Sequence, residues 1–218
     1  MSVTLSEAES RRLVSEHGVV VSGFVTGETT ETILDALKTD ESVTYPLVVK
    51  LCGRQIAHKS ERGLLRLQIN DQQSLRTACD ELLAAAEPSD GNVELLVSSM
   101  VKGSRELICG LHNDPQFGLV VMLGIGGVLA EAIRDVAFRL APITETDAAE
   151  MINDLNAQRL LGEFRGEPAL RRQELIDVLM ALCSLGAAHP EVHSVDLNPL
   201  IIVDGRPVAV DALVELTQ

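Results

Sequence analysis

The stretch that most constrains this chain is Phe117-Gly-Leu-Val-Val-Met-Leu-Gly124-Ile-Gly126-Gly127-Val-Leu-Ala-Glu131. Leu119 to Leu123 form an unbroken apolar run, too short for a long helix and well sized for a buried strand. Three glycines then follow within four positions. A strand ending in glycines leaves backbone N–H groups at the sheet edge with no side chains over them, which suits a phosphate. A tight turn with permissive φ accounts for the same glycines equally well. The pattern is neither the phosphate loop ending in Gly-Lys-Ser/Thr nor a Gly-x-Gly-x-x-Gly fingerprint. The rest of the chain has to decide.

Upstream, Thr4-Leu-Ser-Glu7 has the form of a capping box opening a helix to about Glu16, with His17-Gly18 as its stop. Thr26 to Lys38 reads as a second helix, with Ile33, Leu34 and Leu37 on one face. Pro46 to Cys52 is an apolar strand interrupted by Lys50, and a buried lysine is costly unless paired. It is either a solvated residue on an edge strand or a cation aimed at ligand phosphates. Gly53 to Gly63 holds Arg54, His58, Lys59 and Arg62, and its polarity and terminal glycines predict a mobile loop.

Leu65 to Ile69 alternates as a half-buried strand, and Asn70-Asp71 caps a helix to Ala86. Val93 to Val101 is a further strand. Glu106 to Leu111 is expected to pair with Phe117 to Leu123 across His112-Asn-Asp-Pro115. Val136 to Leu140 follows as a strand, then helices at about Asp147 to Leu161 and Pro168 to Leu185, with Gly186 ending the last. Strands and helices mingle throughout, which predicts an α/β or α+β chain rather than a helical bundle.

Aromatic residues are only 2% of the chain, so its core must be aliphatic. A formal net charge of −14 argues against nucleic acid and against an anionic membrane surface as partners. Any phosphate ligand must therefore find cations placed locally. Cys52, Cys79, Cys109 and Cys183 lie far apart without a Cys-x-x-Cys pair, and three of them sit inside apolar or helical patterns, which reads as small buried hydrophobes in a reducing compartment. With no apolar signal core near the N-terminus and no run of membrane-spanning length, a soluble cytoplasmic protein is expected.

The C-terminal stretch is the more specific signal. His193 to Val203 and Pro207 to Val214 flank Asp204-Gly205, a strong hairpin turn pair. Asp196 and Asn198 lie two apart on a strand and share a face. A turn centred on Asp204-Gly205 sets Asn198 opposite Asp211 and Asp196 opposite Leu213. Two carboxylates and an amide oxygen then converge within an apolar segment, and hard oxygen donors in that number suit Mg²⁺. The competing reading is a solvated polar face.

Together these motifs make the chain resemble the ATP-grasp subunit of the nucleoside-diphosphate-forming acyl-CoA synthetases, the ADP-forming acetate–CoA ligase group, and more distantly the succinyl-CoA synthetase β subunit. The resemblance runs from about Leu5 to Leu216. It is carried by Tyr-Pro-Leu-Val-Val-Lys50, His58-Lys-Ser60, Glu106-Leu-Ile-Cys-Gly110, Asp114-Pro-Gln-Phe-Gly118, Gly124-Ile-Gly-Gly127, Asp135-Val-Ala-Phe-Arg-Leu-Ala-Pro142, Leu161-Gly-Glu-Phe-Arg-Gly166, Asp196-Leu-Asn-Pro-Leu200 and Asp211-Ala.

The resemblance implies an ATP-grasp fold of two α+β lobes with the nucleotide cleft between them, expected over residues 1–92 and 93–218. It implies that Lys50 contacts nucleotide phosphates and that Glu106 lines the nucleotide site. Gly124, Gly126 and Gly127 would form the phosphate loop, and Arg139 would add positive charge nearby. Asp196, Asn198 and Asp211 would hold Mg²⁺, and His58 would relay the phosphoryl group. The implied reaction is acyl-CoA + ADP + phosphate ⇌ acid + CoA + ATP. It would need a CoA-binding α-type partner chain and hence a hetero-oligomer, through which CoA and a small organic acid are engaged. The alternatives are an inactive ATP-binding regulatory subunit and an ATP-grasp domain of a protein acyltransferase system.

Overall fold

The computed structural model describes residues 2–56, 59, 62–127 and 134–217, organised as two compact units. A short strand, β1 (Ser2–Thr4), and a helix, α1 (Glu7–Glu16), open the chain. The helix start differs from the sequence expectation. The capping box is Ser6 with Glu9: the Glu9 amide donates to Ser6 Oγ and the Ser6 amide to Glu9 Oε2. That moves the helix start two residues on and leaves Glu7 out of the box.

The smaller unit comprises Thr4–Glu9 and Ser22–Met100. In chain order it holds β2 (Phe24–Gly27), α2 (Thr30–Thr39), β3 (Leu47–Cys52), β4 (Leu65–Ile69), α3 (Gln72–Ala84) and β5 (Glu94–Ser99). The strands form an antiparallel sheet in the order β2-β5-β3-β4. Ile33 and Leu34 of α2 and Leu75, Cys79 and Leu82 of α3 pack onto Leu47, Val49, Leu51 and Val97. Two expectations change here. The predicted helix from Thr26 is a strand to Gly27 followed by a helix capped by Thr29. The predicted lobe boundary at residue 92 falls too early, because β5 lies between β2 and β3 in this unit's sheet.

The larger unit holds Met1–Val3, Ser10–Val21 and Val101–Gln218. Its elements are β6 (Glu106–Asp114), β7 (Gly118–Ile125), β8 (Val136–Leu140), α4 (Glu145–Asp154), α5 (Gln158–Leu161), α6 (Arg172–Ala188), β9 (Val192–Val203), β10 (Arg206–Ala209) and β11 (Leu213–Thr217). The sheet runs β1-β11-β9-β6-β7-β8, with β10 also paired to β9. The helix expected over 147–161 divides, because the Asp135 carboxylate accepts from the Asn156 and Ala157 amides between its two parts. The strand expected over 207–214 likewise divides at Val210–Ala212.

The aliphatic core forms as expected, and all four cysteines are free and buried. Burial pushes the Cys79 thiol up to about 11 and the Cys109 thiol to about 12, so neither is a ready nucleophile. No described helix is long and apolar enough to cross a membrane.

Gly186 does not end its helix. It lies inside α6, where an added Cβ would stand 2.7 Å from a methyl of Leu111 and 3.1 Å from one of Leu119. The missing side chain lets α6 approach the sheet closely. Gly186→Val is expected to lower stability by about 1–3 kcal/mol, the usual range for overpacking a dense core. Denaturant unfolding that shows no loss would mean the helix can shift away.

Candidate functional site

The hairpin has the predicted register. Arg206 pairs with Val203 and Ala209 with Leu200, while beyond the break Leu213 pairs with Asp196 and Val214 with Val195. Between these ladders the Val210 amide donates to Pro199 O at 3.2 Å. The register is thus continuous, and Asn198 falls opposite Asp211.

On its other side β9 meets β6, where Cys109 pairs with Leu197 but Leu107 pairs with Leu200. Asn198 and Pro199 together therefore stand against Ile108 alone. This is a β-bulge, a device that turns a side chain out of the regular alternation and recurs beside ligand sites. Asp196 and Asn198 both reach solvent on the sheet face turned away from α4 and α6. There they line a groove of about 650 Å³ with Gly110, His112, Met122 and Phe138.

The Asp196 carboxyl is pushed above the usual carboxylate range, first by enclosure in surrounding protein and then by the negative charge of Asp211. A carboxyl whose ionisation is opposed by a neighbouring carboxylate is the arrangement a cation relieves. The donor set is two carboxylates plus an amide oxygen, with no cluster of three His, Cys, Asp or Glu among the described residues. That composition fits a hard, partly hydrated cation and not a thiolate- or imidazole-bound one.

The glycines after β7 serve close approach. An added Cβ at Gly124 would stand 2.9 Å from a Val136 methyl, and one at Gly126 would stand 3.1 Å from the Glu106 backbone. The Gly126 amide donates to Glu106 O at 2.7 Å, so it is engaged within the sheet and not presented to a ligand. Gly127 has φ +83°, and its α-carbon is beside the Glu106 carboxylate: an added Cβ would lie 3.7 Å from Oε2. Glu106, Gly126 and Gly127 are thus brought together, while residues 128–133 lie outside the described residues.

Arg139 does not join them. It pairs with Val121 across the ladder, on the opposite sheet face from Phe138 and Met122. There its guanidinium bonds Asp154 at 2.7 Å and lies 3.8 Å from Glu150, both on α4. Strand alternation forces the separation, since neighbours along β8 cannot share a face.

Lys50 belongs to the smaller unit. It is buried in β3 between Leu96 and Leu65, and its Nζ donates to Glu7 Oε1 at 2.6 Å. Glu7 is also 2.6 Å from Lys59 Nζ, and its side chain has no exposure. The edge-strand reading of Lys50 is excluded, because β3 has a neighbour on each side. Glu7 is not legible as a site residue from the Thr4-Leu-Ser-Glu7 box, which lies two residues too early and makes Glu7 a capping side chain. The signal available was the second box, Ser6-Glu-Ala-Glu9, which releases Glu7. His58 lies outside the described residues.

A model of the ATP-grasp domain matches residues 2–216. The chain is 33% identical over 211 residues to the β subunit of acetate–CoA ligase [ADP-forming] I of Pyrococcus furiosus, covering 95% of this chain and 90% of that one. It is 35% identical over 207 residues to acetate–CoA ligase [ADP-forming] I of Archaeoglobus fulgidus, covering 94% of this chain and 30% of that longer one. Among solved structures it superposes with a TM-score of 0.87 and 32% identity on the dinucleotide forming acetyl-coenzyme A synthetase 1 of Ca. Korarchaeum cryptofilum, in complex with coenzyme A, Ca-AMPCP and HgCl+. That match covers 98% of this chain and 93% of the other. The chain belongs to the ATP-grasp family, in the group of the ADP-forming acyl-CoA ligases.

Proposed function

We propose that this chain is the ATP-binding, phosphoryl-transferring subunit of an acid–CoA ligase, acting in acyl-CoA + ADP + phosphate ⇌ acid + CoA + ATP. The observation that carries the proposal is the bulged hairpin, which gathers Asp196, Asn198 and Asp211 in a chain of this family. These three would hold Mg²⁺, whose charge would offset that of the nucleotide phosphates. Lys50 supplies a buried cation for the same phosphates. Glu106 and the backbone at Gly127 line the nucleotide site, with Gly124 and Gly126 allowing the strands to close up around it.

His58 is assigned the relay. An imidazole nitrogen bonds the γ-phosphorus, the bond to the bridging oxygen breaks, ADP leaves, and the ring releases its N–H proton. Phosphoryl transfer asks mostly for positioning and charge neutralisation, which these residues supply. The Pyrococcus relative is named as one subunit, and the Archaeoglobus relative has the matching region within a much longer chain. Both favour a CoA-binding partner that completes the enzyme and engages the acid and CoA.

Lys50→Ala is expected to weaken Mg-ATP about ten- to a hundredfold, from the roughly 1.5–3 kcal/mol of a charge-assisted contact. Unchanged affinity by calorimetry removes Lys50 from the site.

The raised Asp196 pKa gives a second test, with a definite sign. Its neutral form is favoured by folding, so the contribution is full below the unfolded pKa and is lost as pH rises through the folded one. In metal-free protein Asp196→Asn should therefore raise the melting temperature at pH 7. The gain should vanish near about pH 3, where the wild-type carboxyl is also neutral. A variant that melts lower at pH 7 would contradict the assignment. In the complex with the partner chain, His58→Ala should abolish phosphate exchange between ATP and acyl-CoA while sparing ATP binding. Full exchange without His58 removes the relay.

A further inference from the structure

Glu7 is a fully buried carboxylate placed between two ammonium groups, Lys50 Nζ and Lys59 Nζ, each at 2.6 Å, with the Cys52 thiol 3.9 Å away. Buried charges of this kind are a poor way to stabilise a fold, since apolar residues of the same volume do as well or better. The two lysines also come from dissimilar places. Lys50 is on a central strand, while Lys59 stands in the 53–63 segment next in sequence to His58.

The described charged residues of that segment are all tied to carboxylates. Arg54 bonds Glu9 in the same helical turn as Glu7, and Arg62 bonds both oxygens of Asp90 at 2.7 and 3.0 Å. Lys59 on Glu7 is the middle tie of three. The segment that the sequence predicts to be mobile is thus held at its described charges by ion pairs to α1 and to the turn before β5.

We propose that Glu7 is a positioning residue for phosphoryl transfer, orienting Lys50 toward the nucleotide and tethering the relay segment through Lys59. One carboxylate then links nucleotide binding to the placement of the relay. The catalytic half of this inference rests on the phosphoryl-transfer reading above, and the tether half stands on geometry alone.

The test uses the full chain, alone and with its CoA-binding partner, and three variants. In Glu7→Gln, amide hydrogen exchange over residues 53–64 should quicken about tenfold or more, and Mg-ATP affinity should fall by about tenfold. Lys59→Met keeps the Glu7–Lys50 pair. It should speed the same amides and lower turnover about tenfold, with Mg-ATP affinity within about twofold of wild type. A merely structural role for Lys59 would not produce that split. Glu7→Asp should recover part of both properties, and with Lys59→Met it carries the test if Glu7→Gln fails to fold. Unchanged exchange in Glu7→Gln and Lys59→Met would overturn the tether. A Lys59→Met chain that loses ATP binding as much as turnover would make Lys59 a nucleotide ligand, and would overturn the positioning role. If the wild-type chain binds no Mg-ATP, the phosphoryl-transfer reading falls, and amide exchange still decides the tether.

Discussion

Strand β9 has to satisfy two neighbours whose registers do not agree. Toward β10 and β11 its pairing is even from Val203 to Val195, while toward β6 it carries one residue too many at Asn198-Pro199. The surplus is absorbed as a bulge on one side and met by the break at Val210–Ala212 on the other. Burial along β9 changes character at the same place: Val195 and Leu197 alternate with more exposed neighbours before it, while Leu200, Ile201 and Ile202 are all buried after it. The polar residues lie where the alternation ends, so Asn198 and Asp196 can face one groove without opening the core. The larger unit's sheet is continuous because that mismatch is confined to two residues.

Most of the sheet-forming segments were legible, because strand alternation and turn chemistry are local. Asp204-Gly205 sets the hairpin register by itself, and that register sets Asn198 against Asp211. What could not be read depends on partners distant in sequence. Arg139 looks like a cation near glycines until β8 is placed beside α4, whose carboxylates take it up. The Gly126 amide looks available until Glu106 arrives opposite it. β5 looked like the start of a lobe because nothing in Glu94–Ser99 reveals that it inserts between β2 and β3. The overlap of Thr4-Leu-Ser-Glu7 with Ser6-Glu-Ala-Glu9 was ambiguous on sequence, and the helix resolves it in favour of the box that buries Glu7.

A chain with 32 acidic and 18 basic residues has few cations to spend. Several arginines are spent on structure. Arg105 is buried and bonds Glu167 and the carbonyls of Leu160, Gly162 and Pro168, closing the loop that leads into α6. Arg66, Arg76 and Arg206 pair with surface carboxylates, contacts worth roughly 0–1 kcal/mol each. Lys50 differs in kind, since a lysine inside a sheet has to be held by a designated partner. In an acidic protein, placing a cation well takes a dedicated carboxylate as well.

The end of the larger sheet carries a different consequence. Among the described residues β8 is the last strand, and Val136, Phe138 and Leu140 stand exposed along it in strict alternation. An apolar edge strand with unpaired backbone groups is a template on which a second strand can grow. What opposes this in the lone chain is mutual repulsion between molecules of net charge −14. Repulsion of that kind reaches only about 10 Å in 0.1 M salt and about 3 Å in 1 M. The colloidal behaviour of the isolated chain is therefore set by ionic strength, and handling it in low salt near neutral pH keeps that edge apart from its copies.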